Sequence, residues 1–142
     1  MARACLYGAV AVVASSLAST AAPAATLEVT IANVRNNKGH VRVAACTSAT
    51  FLKERCAYNA QVPSVTGETV VRLEVPPGTW AVQAYQDEND SGKVDRNLLG
   101  IPTVGLGFSN DAPFRFGPPS YGDAAFQLGA GGGRIRLTLR YF

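Results

Sequence analysis

The constraint that bears hardest on this chain is a two-residue alternation of apolar and polar side chains, repeated in short segments that turn residues interrupt. It is cleanest over residues 134–141, where Ile135, Leu137, Leu139 and Tyr141 alternate with Arg134, Arg136, Thr138 and Arg140. Successive side chains of a strand point to opposite faces, so such a segment can bury one face and wet the other. Residues 26–34 repeat the pattern, with Leu27, Val29 and Ile31 against Glu28 and Thr30. So do Val41, Val43 and Ala45 around Arg42, then Thr69, Val71 and Leu73 against Val70, Arg72 and Glu74, then Trp80, Val82 and Ala84 against Gln83 and Tyr85. Asn36-Asn37-Lys38-Gly39 predicts a turn that joins the first two segments as a hairpin. Pro76-Pro77-Gly78 stops the next, because proline cannot donate to a ladder. Residues 123–128 read as a short strand and 129–133 as a flexible glycine turn. Residues 49–55 could form a single helical turn, and 58–67 a loop or a short edge strand containing Pro63. No long helical pattern exists. The expectation is an all-β, antiparallel β-sandwich of immunoglobulin-like or transthyretin (prealbumin)-like type, with six to seven strands and one long loop.

The first 25 residues lie outside that pattern. Arg3 is followed by a small, apolar stretch from Cys5 to Leu17, and a small-residue run ends in Ala22-Pro23-Ala24. This is the layout of a secretory signal peptide, with cleavage expected near Ala24 or Ala25. The apolar run is too short for a good membrane span, and no later run approaches spanning length. Residues 26–142 then form a single β-sandwich domain, periplasmic or secreted.

Arg3 is the one basic residue ahead of Ala25, so twelve basic residues face ten acidic ones in the mature chain. That balance argues against a nucleic-acid partner and against strong membrane attraction. Removing Cys5 leaves Cys46 and Cys56, an even pair that an oxidising compartment joins as a disulfide. The closing aromatic Phe142 shares its face with Arg140 and Arg136, the wrong parity for the last strand of a lipid-facing barrel.

Function points to the stretch from Asp87 to Asp111. Asp87, Asn89, Ser91, Lys93 and Asp95 fall at positions 1, 3, 5, 7 and 9 of a calcium loop, and Gly92 takes the sharp-turn position 6. Lys93 would offer only its carbonyl. Position 12 is Leu98, where a bidentate carboxylate is expected, and no flanking helices are predicted. Two readings stay open: a calcium site, and an Asx-rich turn whose side chains bond their own backbone. Residues 98–121 carry Pro102, Pro113, Pro118 and Pro119 and no regular pattern. Long loops of this kind are often functional. Phe108, Asn110, Asp111, Phe114 and Phe116 are its candidate binding residues, unless the aromatics simply cap the sandwich.

Three blocks carry a resemblance: LEVTIANVRNNKGHVRVAAC with the later FL, then VPPGTWAVQAYQDENDSGKVDRNLLGIPTVGLGFSND, then RFGPPSYGDAAF with a closing strand. On these the chain resembles the bacterial exported family called domain of unknown function 2141. That family has no assigned activity, so the resemblance carries over no catalytic residue. PPGTWAV is also similar to the strand opening of transthyretin-like and carboxypeptidase-regulatory-like domains, which supports the sandwich and transfers no function.

Catalytic patterns are sparse. His40 is the only histidine, so a zinc site built on histidines is excluded. A Ser–His–Asp set using His40 and Ser109 lacks the G-x-S-x-G elbow. Paired carboxylates drawn from Asp87, Glu88, Asp95 and Asp111 would make a carboxylate-dependent hydrolase. The expected function is a non-catalytic binding module stabilised by calcium at 87–95. The alternative is an envelope-associated module that meets proteins or anionic surfaces through Arg134, Arg136 and Arg140.

Overall fold

The computed structural model describes residues 8–16 and 23–142. The expected leader falls in large part on residues 1–7 and 17–22, outside the described residues, and 8–16 carry no regular structure.

Among the described residues, eight strands form two sheets. They are β1 (Ala25–Val34), β2 (His40–Cys46), β3 (Tyr58–Pro63), β4 (Gly67–Val75), β5 (Gly78–Asp87), β6 (Leu106–Phe108), β7 (Ala125–Leu128) and β8 (Gly133–Thr138). The smaller sheet runs β4-β1-β8 and the larger β3-β2-β5-β6, with β7 sharing the β6 side of β5. The fold is an all-β sandwich. One pairing departs from the antiparallel rule: β1 and β8 run parallel, Leu27 opposite Gly133 through Ala32 opposite Thr138.

The inward faces are those that the alternation marks. Leu27, Val29 and Ile31 of β1, Val71 and Leu73 of β4 and Leu137 of β8 meet Val41, Val43 and Ala45 of β2 and Val82 and Ala84 of β5. Each fully buried aliphatic side chain contributes about 1.5–3 kcal/mol. The two sheets also touch at one edge. Leu106 and Arg140 exchange backbone hydrogen bonds at 3.0 and 2.7 Å, tying β6 to the chain beyond β8.

The expected hairpin between the first two strands is not formed. β1 pairs β4 and β8, whereas β2 pairs β3 and β5. Residues 35–39 form an arch that carries the chain from one sheet to the other, so the two apolar faces oppose each other across the core. Asn33 opens the arch at φ 64°, and its side-chain amide donates to the Leu139 carbonyl at 2.9 Å.

The segment expected as a long irregular loop is also more ordered than its composition suggests. It contains β6 and a 3₁₀ turn Ser109–Asp111, and it ends at a one-turn helix α1 (Tyr121–Ala124), capped by Ser120, that takes the first two residues of the strand expected over 123–128. Gly107 makes β6 possible: a Cβ there would sit 2.7 Å from Leu137 Cδ1 and 2.9 Å from the Thr138 carbonyl. The single helical turn expected over 49–55 falls earlier, as one hydrogen-bonded turn from Phe51 N–H to Thr47 O at 2.9 Å, and Leu52 at φ 66° ends it.

A second apolar cluster covers the outer face of the larger sheet. Phe51, Cys46 and Cys56 pack with Ala81, Phe108, Ala112 and Ala124. Cys46 and Cys56 form the expected disulfide, with Cα atoms 5.0 Å apart.

Candidate functional site

Sequence reasoning starts the acidic loop at Asp87. The structure makes Asp87 the last residue of β5 and leaves it 0% exposed. Its Oδ2 accepts from Arg42 Nε at 2.7 Å and from the Gly92 amide at 2.8 Å. Its Oδ1 accepts from the Ser91 amide at 3.0 Å and faces Ser91 Oγ at 3.3 Å. Burial pushes the carboxyl pKa up, but the Gly92 amide, the Arg42 guanidinium and the Ser91 amide outweigh it and hold the group below the usual carboxylate range. Asp87 therefore folds the turn around itself, with one oxygen held by a cation and the other turned into the loop.

The remaining predicted oxygens gather on that second side. Ser91 Oγ lies 3.1 Å from Lys93 O, and 3.3 and 3.2 Å from the two carboxylate oxygens of Asp95. Asn89 Oδ1 accepts from the Ser91 amide at 3.3 Å. All five predicted positions, Asp87, Asn89, Ser91, Lys93 and Asp95, thus meet around Ser91. The donor set is all oxygen, the kind that a hard cation takes. Among the described residues no group of three His, Cys, Asp or Glu gathers at one point. Of the loop's four carboxylates, Asp87 and Asp95 reach Ser91, while Glu88 and Asp90 face Arg35 and His40. Leu98, at position 12, points into solvent and brings no oxygen.

The arch between β1 and β2 clamps this loop from behind. Gln86, buried, donates to the Asn36 and Lys38 carbonyls at 3.0 and 3.1 Å. Glu88 takes a bidentate pair from Arg35, Nε at 3.0 Å and Nη2 at 2.5 Å, plus a bond from the Asn36 amide. Those partners, Arg35 first, hold the Glu88 carboxyl below its ordinary pKa against the upward push of burial. Asp90 meets His40 Nδ1 at 2.6 Å. Gly39 presses directly on β5: a Cβ there would lie 1.9 Å from the Asp87 carbonyl oxygen. Sequence reasoning missed Arg35, Asn36 and Arg42 as partners. Their only local signal was polarity, in a turn for Arg35 and Asn36 and on the outward face of a strand for Arg42, and contacts across some 50 positions leave no trace in spacing.

His40 is the first residue of β2. Ser109 is buried; its Oγ accepts from the Val82 amide at 2.9 Å and donates to the Ala124 carbonyl. No hydrogen bond joins Ser109 to His40 among the described residues. Of the candidate binding residues, Phe108 packs edge-on against Phe51 at 5.6 Å and meets Phe114 at 5.4 Å. Asn110 donates to the Asp123 and Ala125 carbonyls, and Asp111 Oδ1 accepts from the Thr138 amide at 2.8 Å. Phe116 differs, at 114% exposure. The basic residues of β8 have acidic neighbours: Arg136 meets Glu68 at 2.6 Å, while Glu28 lies 3.1 Å from Arg72 and 3.9 Å from Arg134.

Residues 29–136 match a family described as an uncharacterized protein conserved in bacteria (DUF2141). The chain belongs to this family. The match runs from within β1 to within β8, so the larger sheet, the arch and the whole 87–95 turn lie inside it, with most of the smaller sheet. No curated protein and no solved structure matches the chain. No helix among the described residues is long and apolar enough to cross a membrane.

Proposed function

We propose that this chain is an exported, non-catalytic binding module whose 87–95 turn is tightened by calcium. One observation carries the reading. The Ser91 hydroxyl has a single proton, yet four acceptor oxygens, from Asp87, Lys93 and both arms of Asp95, lie within 3.3 Å of it. One proton cannot serve all four, so acceptor oxygens outnumber donors at this point. A hard cation takes such a set of oxygens. Arg42 already neutralises much of Asp87, and position 12 lacks a carboxylate. Affinity in the weak range of extracellular modules, about 10⁻⁴–10⁻³ M, follows from that charge count.

Export rests on the N-terminal pattern and agrees with the disulfide. Ala25 is buried and pairs with Val75, which favours cleavage after Ala24 rather than after Ala25.

The test is the melting midpoint in millimolar calcium against chelator. The reading expects an upward shift, absent in Asp95→Asn and not reproduced by magnesium, which accepts irregular oxygen shells poorly. An unchanged midpoint at saturating calcium overturns it.

A second reading, an envelope-associated interaction module, is favoured by a different feature from the one the sequence suggested. Arg96 and Pro102 bridge a small hairpin whose tip presents Leu98 and Leu99 at 106% and 83% exposure. Retention on anionic vesicles that Leu98→Asp abolishes would support it; equal retention of the variant would not.

A further inference from the structure

The outward face of the larger sheet is not simply wet. The disulfide loop on one side and residues 92–96 on the other rise above it and leave a cavity of about 790 Å³ between them. Strand register lays out its floor. Gln61, Arg42, Tyr85 and Leu106 stand side by side across β3, β2, β5 and β6, and Asn59, Ala44, Gln83 and Phe108 form the next row. Ala44, the small residue of the second row, makes the depression.

The first row has unused polar capacity. Arg42 spends Nε on Asp87, and among the described residues its terminal amino groups donate to nothing. The half-buried Tyr85 hydroxyl and the Gln61 amide also have no hydrogen-bond partner among the described residues. Gln83, by contrast, is committed: it holds the rim by accepting from Leu52 N–H and donating to Lys53 O. The walls are basic. Lys53, Lys93 and Arg96 line the cavity, and among the described residues none has a carboxylate within salt-bridge distance, although Arg96 Nη1 donates to the Gly100 carbonyl at 3.0 Å; Glu54 is the acid in the lining.

We propose that this cavity binds a small organic anion, its carboxylate or phosphate oxygens held by the free edge of Arg42 and the Tyr85 hydroxyl, with Lys93 and Arg96 closing over it. A guanidinium whose Nε is already fixed by a buried carboxylate offers an oriented pair of donors, the geometry that oxyanions take best. Leu106 and Phe108 supply an apolar strip for the body of the ligand. The volume falls within the range of small-molecule sites. Burial, then the nearby Asp87, holds the Tyr85 phenol protonated above its usual range, so it stays a donor. This inference rests on the reading of the chain as a binding module, and not on the cation, although Gly92 and Lys93 belong to both the turn and the wall.

The experiment is a titration of the isotope-labelled protein followed by amide and arginine Nε resonances, with benzoate, inorganic phosphate and neutral benzamide as probes. It is run in calcium and again in chelator. Saturable shifts centred on Arg42, Gln61 and Tyr85 are expected with benzoate or phosphate and not with benzamide; which oxyanion binds more tightly names the head group. Lys93→Glu combined with Arg96→Glu, both on the exposed rim, should weaken binding by about tenfold or more, and Tyr85→Phe should weaken it while leaving the fold intact. The proposal is overturned if neither oxyanion gives saturable shifts in either buffer, if benzamide matches them, or if the charge reversal leaves affinity unchanged. The melting experiment in calcium is independent of all these outcomes, so either reading can fall alone.

Discussion

Gly39 is where a single atom decides most. Its φ of +62° lies in the left-handed region, and its missing Cβ lets the arch sit against the Asp87 carbonyl at a distance no side chain allows. Gly39→Ala should cost more than about 3 kcal/mol, since strain and a backbone clash combine. Urea unfolding would read it as a lowered midpoint, and a near-neutral result would show that the arch can move away. Asp87 and Glu88 set the acid limit. Both folded pKa values are lowered, so the folded state binds fewer protons than the unfolded chain. Their stabilisation is complete above the ordinary carboxylate range of about 4 and is lost as pH falls through the folded values. Denaturation midpoints should therefore fall most steeply below about pH 4, and Asp87→Asn with Glu88→Gln should flatten that slope.

Among elements, what the sequence reveals and what it hides follow one physical line. β1, β2, β4, β5 and β8 each turn an apolar face to the core in two-residue alternation, and their positions were legible because that period is a local signal. Partner choice is not local. The alternation of residues 26–34 and 41–45 fits a hairpin and an arch equally, and the contacts that hold the arch, Gln86 to Asn36 and Lys38 and Arg35 to Glu88, come from distant positions. β6 escaped because Leu106-Gly107-Phe108 is too short to show a period, and because its glycine, read locally as loop, is needed for contact with Leu137 and Thr138. The calcium-like spacing was legible; the Arg42 partner of Asp87 was not. The disulfide was legible from cysteine arithmetic alone. It ties the end of β2 to the loop that rims the cavity. Cys46→Ala with Cys56→Ala should lower stability by about 3 kcal/mol, read as a shifted denaturant midpoint with an intact core. A loss near zero would mean that Phe51 and its aromatic neighbours hold the loop unaided.

At the scale of the molecule, one corner of the sandwich gathers three charged pairs. The arch, the end of β5 and the turn that follows it lock together through Arg35, His40 and Arg42 against Glu88, Asp90 and Asp87. The same turn forms a wall of the cavity on the larger sheet. A rigid scaffold that supports a polar loop is a common way to place a binding site. The opposite sheet presents a face on which Arg72 and Arg136 meet Glu28 and Glu68, leaving little net charge to draw a partner. A crystal structure of the protein grown in millimolar calcium tests this account most directly. The account predicts a cation bound by Asp87 Oδ1, Ser91 Oγ, Lys93 O and Asp95 at about 2.3–2.6 Å, with Arg42 still on Asp87 Oδ2. A turn closed by the Ser91 hydroxyl alone, with no ion among those oxygens, would contradict it.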